Sequence, residues 1–159
     1  YHWSLTARRR RVISNGGALT DLVQKSPFSI RGLLTGLNDW ECMVEVPNDY
    51  CLYDLHHVIQ QAVGFDDDHL FEFAIGRTYL SPNTLVIECD GDEIDEKIES
   101  ILPKVKGKKL FYMFDYGDRW LFPISKSRKK SFEARPNIQY PRLTIEVGVK
   151  PEQYPDWDD

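Results

Sequence analysis

Hydrophobic period switches back and forth along this chain, and that switching most restricts its fold. Residues 40–46 place Trp40, Cys42, Val44 and Val46 on one side of a strand, with Glu41, Met43 and Glu45 on the other. Beyond Pro47, Asn48 and Asp49, the residues Leu52, Leu55, Ile59, Ala62 and Val63 recur at the spacing of an amphipathic helix, and Gly64 occupies the left-handed stop position. Period two returns over residues 70–75, where Phe71, Phe73 and Ile75 alternate against Leu70, Glu72 and Ala74. A short strand over 85–89 follows, then a second helix marked by Ile94, Ile98, Ile101 and Leu102 and ending at Pro103.

The remaining segments fit the same scheme. Residues 28–37 read as a strand joined by a turn at 36–39 to residues 40–46, forming a hairpin. Residues 109–114 and 119–124 form a second, aromatic hairpin around Asp115, Tyr116, Gly117 and Asp118. Residues 125–130 read as a basic loop, and Leu143, Ile145, Val147 and Val149 as a last strand. Ala18, Leu19, Leu22 and Val23 give one or two helical turns stopped by Ser26 and Pro27. Strand pairs interspersed with helices predict a single α+β domain, a mostly antiparallel sheet with two or more packed helices. Residues 1–27 form a basic N-terminal extension and residues 28–159 the domain. A dinucleotide-binding fold is disfavoured, because neither G-x-G-x-x-G nor a P-loop signature occurs.

A chain of 159 residues, 42% hydrophobic and 13% aromatic, can bury a core without disulfides or metal. No stretch approaches the ~20 apolar residues that cross a bilayer, so no membrane partner is expected. Cys42, Cys51 and Cys89 are odd in number and lack a Cys-x-x-Cys pair, which predicts reduced, mostly buried thiols and a cytoplasmic location. The sequence begins at Tyr1, so targeting is weakly constrained.

The net charge of −5 hides opposing blocks: +4 over residues 1–27, −4 over 28–65, −9 over 66–102, +7 over 103–135 and −3 thereafter. Such blocks attract one another across a folded surface or recruit a partner of opposite sign.

Two segments are distinctive together. One runs from Asp54-Leu55-His56 through Val58-Ile59-Gln60 to Gly64-Phe65-Asp66-Asp67-Asp68-His69-Leu70-Phe71-Glu72-Phe73; the other is Phe111-Tyr112-Met113-Phe114-Asp115-Tyr116-Gly117-Asp118-Arg119-Trp120. Both resemble the plasmid pRiA4b ORF-3-like family, and the resemblance runs from about Phe28 to the end, including Tyr140-Pro141-Arg142 and Pro151-Glu152-Gln153-Tyr154-Pro155. It implies a compact α+β domain of bacteria, archaea or mobile elements, some members being insertion-sequence passengers, and it implies no reaction. Two departures stand out: residues 1–27 precede the usual first strand, and a cysteine-containing stretch that many members carry near the end is absent.

The candidate binding residues are Asp66, Asp67, Asp68 and His69 in the connector, Asp115 and Asp118 in the turn, and Trp120 beside it. Carboxylates converging from connector and turn, with Glu72 nearby, suit Mg²⁺ or Mn²⁺ and could activate water against a phosphodiester. The plainer reading is solvated loop acids that cap backbone N–H groups. His56 borders the buried helix face and reads as structural, whereas His57 points outward; no catalytic residue is assigned, and no cofactor is expected.

The aromatic hairpin lies between the basic segments 104–109 and 126–130 and superficially resembles a stacking platform for bases, although alternate rings must enter the core. Two readings follow. The leading one is a non-enzymatic binding module for a protein or nucleic-acid partner, engaged through the basic hairpin and adjoining loops. The alternative is a metal-dependent hydrolase or nuclease using the clustered Asp and His residues. Binding of a small molecule between sheet and helix has no residue signature.

Overall fold

The computed structural model describes residues 23–34 and 38–154. Seven strands form one antiparallel sheet in the order β4-β3-β5-β6-β1-β2-β7. They are β1 (Lys25–Leu34), β2 (Asn38–Pro47), β3 (Phe71–Gly76), β4 (Leu85–Glu88), β5 (Lys109–Phe114), β6 (Trp120–Lys126) and β7 (Arg142–Val147). Helix α1 (Leu52–Val63) lies between β2 and β3; a 3-10 turn (Asp92–Asp95) and helix α2 (Ile98–Val105) lie between β4 and β5. This is an α+β domain.

Side-chain parity shows where the core sits. Phe28 and Ile30, Trp40 to Val46 at alternate positions, Phe71, Phe73, Ile75, Leu110, Tyr112, Phe114, Trp120, Phe122 and Ile124 join one apolar cluster with Leu52, Leu55, Val58 and Ile59 of α1 and Ile98 and Ile101 of α2. Cross-strand pairing puts these residues in register: Phe73 faces Tyr112, Tyr112 faces Phe122, Ile124 faces Ile30 and Ile30 faces Cys42. Both helices therefore cover the same face. The opposite face is also occupied near β5, where Phe111 packs against the Tyr79 ring and Glu72 accepts hydrogen bonds from the Tyr79 and Tyr116 hydroxyls.

The expected hairpins, the α1 helix and the last strand are present, with shifted edges. The first strand starts at Lys25, before Pro27, because Lys25 exchanges backbone hydrogen bonds with Phe132 at 2.8 and 2.9 Å. Long-range pairing overrides the local stop signal there. The strand β6 runs on to Lys126, which pairs with Phe28, so the expected loop begins later. The second helix divides into the 3-10 turn and α2, and Pro103 lies inside α2 rather than after it. The helical turns expected around Ala18 and the basic arm Arg8 to Arg11 fall outside the described residues.

Helix α1 has well-defined ends. The Asp54 carboxylate accepts the Cys51 backbone N–H at 3.0 Å, satisfying a donor at the N-terminus. Gly64 closes the helix at φ 79°, its N–H bonded to the Gln60 carbonyl at 2.9 Å. A Cβ placed on Gly64 meets nothing within 4 Å, so a side chain there suffers only from the backbone conformation. Gly64→Ala is expected to destabilise the domain by about 1 kcal/mol in urea unfolding, and Gly64→Asn by less, since asparagine tolerates the left-handed region. Equal losses for both would place the penalty elsewhere.

Candidate functional site

The strongest polar feature sits where the exit of α1 crosses the ends of β3 and β5. Three of its groups come from chain positions whose geometry the sequence sets: His56 and Gln60 are four apart and share a helix face, and Tyr112 lies between Leu110 and Phe114 on the core side of β5. Asp67 follows the helix stop and is held at φ 53°. The four close a ring of hydrogen bonds. His56 Nε2–H donates to Asp67 Oδ1 at 2.8 Å, and the Asp67 N–H donates to Gln60 Oε1 at 3.0 Å. Gln60 Nε2 donates to the Tyr112 oxygen at 2.8 Å, and the Tyr112 hydroxyl lies 2.6 Å from His56 Nδ1. With His56 neutral and its proton on Nε2, every group in the ring has a matching partner.

Burial favours that protonation state. His56 is 1% exposed and stacked on Phe71 with centroids 3.7 Å apart, and desolvation holds its pKa below the ordinary 6.5 despite the opposing hydrogen bond from Asp67. Burial likewise drives the Tyr112 pKa well above its usual value, keeping the hydroxyl a donor. His57 is buried rather than outward-facing: Tyr53 packs edge-on against its ring at 4.7 Å, and its Nδ1 lies 3.6 Å from Asp67 Oδ2. The helix periodicity alone assigned it to solvent because it cannot register a covering ring from a neighbouring turn.

The other acidic residues lead elsewhere. Asp66 uses its backbone N–H, bonded to Gln153 Oε1 at 2.7 Å. Asp68 accepts Gln153 Nε2 at 2.7 Å and the Tyr154 hydroxyl; the tyrosine bond, first, and the glutamine bond hold its carboxyl below the usual range, and Asp68 in turn pushes the tyrosine up to about 12. His69 joins connector to turn, its Nε2 being 3.1 Å from the Tyr154 hydroxyl, 3.4 Å from Asp115 Oδ2 and 3.7 Å from Asp68 Oδ1. Asp115, at φ 71°, accepts the N–H groups of Gly117 at 2.9 Å and Asp118 at 3.4 Å. The Asp118 residue itself is exposed. Glu72 bonds Tyr79 and Tyr116 on the opposite sheet face. Among the described residues, the three-residue group whose ligand atoms lie within 4.8 Å of one another is His56, His57 and Asp67.

Trp120 is buried against Phe65, with ring centroids 4.9 Å apart. Phe111, Tyr112, Phe114 and Phe122 are buried too, and of the hairpin's rings Tyr116 is the exposed one. Alternation foresaw half of this; the burial of Phe111 depends on Tyr79, from a loop no pattern connects to the hairpin. The thiols of Cys42 and Cys51 are buried and that of Cys89 partly so, and burial pushes Cys42 up to about 12.

The basic segments build a different feature at the far end of the same strands, ~17 Å along β5 from Phe114 at the usual rise per residue. A cleft of about 380 Å³ opens between α2 and the sheet, floored by Phe28, Leu102, Val105, Leu110 and Ile124 and rimmed by Lys106, Lys108, Lys109 and Lys126. It adjoins a hollow of about 160 Å³ that shares Phe28, Leu102 and Lys126 and adds Ser26, Asn48 and Ser131. Lys104 pairs with Glu96 at 3.3 Å, but among the described residues none of the four rim lysines forms an ion pair.

A family model described as plasmid pRiA4b ORF-3-like protein matches residues 41–153. A crystal structure of a protein of unknown function from Methanosarcina mazei Go1 is similar with a TM-score of 0.62 and 22% identity, covering 79% of this chain and 70% of that one. That likeness concerns the fold. No curated protein matches the chain.

Proposed function

The chain belongs to the plasmid pRiA4b ORF-3-like family, and from that premise we propose that it is a binding module whose lysine-rimmed cleft accepts an acidic segment of a partner protein. One observation carries this reading: four lysines without ion pairs among the described residues surround an apolar floor. Like charges held together repel, and Leu102 and Val105, only partly buried above the core residues Phe28, Leu110 and Ile124, keep apolar surface in water unless covered; a chain alternating carboxylates with leucine-like side chains relieves both. Nucleic acid suits the cleft less, because its floor has no exposed ring on which bases could stack and most of the hairpin's rings are buried.

Fluorescence anisotropy with a synthetic peptide of glutamates interspersed with leucines provides the test. Binding is expected to weaken with salt, and conversion of Lys106, Lys108, Lys109 and Lys126 to glutamate should reduce affinity by about a hundredfold or more. A single-stranded oligonucleotide should bind more weakly than the peptide. Equal peptide binding by wild type and the charge-reversed variant would exclude the cleft as the binding surface.

Metal-assisted hydrolysis is the second reading, favoured by the 3.4 Å approach of His69 to Asp115, which joins connector to turn. It ranks lower because Asp66, Asp67 and Asp68 diverge onto separate partners, and the group with ligand spacing is largely buried.

A further inference from the structure

We infer that His56, His57 and Asp67 form a binding site for one divalent transition-metal ion of the zinc type, at the end of the domain opposite the lysine cleft. The three side chains offer two imidazole nitrogens and a carboxylate oxygen, all within 4.8 Å of one another. At metal–ligand bonds of about 2.0 to 2.2 Å, tetrahedral donors stand about 3.3 to 3.6 Å apart. His57 Nδ1 and Asp67 Oδ2 already have that spacing, at 3.6 Å. His56 Nε2 faces the other oxygen of the same carboxylate, 2.8 Å from Oδ1, because a proton now lies between them. Imidazole and carboxylate together suit zinc better than calcium or magnesium, which favour all-oxygen sets.

The ring around His56 dictates how an ion would enter. Nε2 must give its lone pair to the metal, so the neutral imidazole carries its proton on Nδ1 and donates it to the Tyr112 oxygen. The Tyr112 hydroxyl proton then turns toward Gln60, whose amide must present oxygen instead of nitrogen. No proton leaves the site: one moves from Nε2 to Nδ1, and one reorients on the tyrosine. The reversed ring places the Gln60 amide nitrogen against the Asp67 N–H, donor to donor, so one hydrogen bond is lost. A carboxylate at position 60 accepts from both. Gln60→Glu is therefore the substitution that matches the metal-bound arrangement.

Cobalt(II) titration followed by visible absorption, with zinc competition, tests this on the full chain. Wild type is expected to take up one cobalt ion with absorption of low-symmetry coordination and to release it to zinc. His57→Ala and Asp67→Asn should weaken uptake at least tenfold, whereas Gln60→Glu should strengthen it. His57 lies outside the ring, so its alanine variant is expected to fold, checked by circular dichroism. Absence of cobalt absorption in the wild type, or equal uptake by folded His57→Ala and wild type, overturns the assignment. If Gln60→Glu folds and binds more weakly than wild type, the site as drawn fails as well.

Discussion

Replacing Tyr112 by phenylalanine is expected to destabilise the domain by about 2 to 4 kcal/mol, although it deletes a single oxygen. The phenyl ring would fill the same space between α1 and the sheet, so apolar burial is unchanged. What disappears is the donor to His56 Nδ1 and the acceptor of Gln60 Nε2, two partners of groups buried to 1% exposure. Leaving a buried polar group unsatisfied costs about 1 to 3 kcal/mol, far more than the net worth of an exposed hydrogen bond. Tyr116→Phe is the control: its hydroxyl bonds Glu72 at 3.0 Å from a partly exposed position, and its loss should stay within about 1 kcal/mol. Urea denaturation midpoints at constant slope measure both. If Tyr112→Phe loses no more than Tyr116→Phe, the ring of hydrogen bonds contributes nothing beyond packing.

The second large effect is a loss of stability in mild acid. Folded His56 holds a pKa below 6.5, first through desolvation, while the unfolded chain binds a proton at the ordinary value. The contribution is complete above pH 6.5. Below it the unfolded state takes up a proton that the folded state refuses, and stability falls with decreasing pH until the folded group itself titrates. The slope approaches about 1.4 kcal/mol per pH unit for this one group, so stability at pH 5 should lie up to about 2 kcal/mol below that at pH 7.5. His56→Gln removes the titrating group and should flatten that part of the profile, whatever it does to absolute stability. An unchanged slope in the variant would assign the acid sensitivity to other residues.

These two residues also show how far sequence reasoning reaches here. Periodicity located α1 through Leu52, Leu55 and Ile59, and it located the Gly64 stop, because helix spacing and a left-handed terminus are local properties. It placed the two hairpins for the same reason. The boundary at Lys25 escaped it, since that strand is extended by Phe132, more than a hundred residues away. At the site, the acidic connector was visible as a cluster of charges, yet its members disperse: Asp67 turns inward to His56, Asp68 turns to Gln153 and Tyr154, and Asp66 offers its backbone. Which way each carboxylate turns depends on partners that meet only in three dimensions. Gln60 had a legible signal, four residues after His56 on the same face, but Tyr112 looked like any other core ring. The lysines of the cleft were visible as charge, whereas the apolar floor between them is supplied by Phe28, Leu102 and Ile124 from three separate elements.

Backbone amide shifts of the isotopically labelled chain, titrated with the glutamate–leucine peptide, address the binding surface most directly. Saturable shifts are expected at Leu102, Val105, Lys106, Lys108, Lys109, Leu110, Ile124 and Lys126, with little change at Asp66, Asp67, His69 or Asp115. Shifts concentrated at the connector and the Asp115 turn, or no saturable shift at low salt, would contradict an acidic partner in the lysine-rimmed cleft.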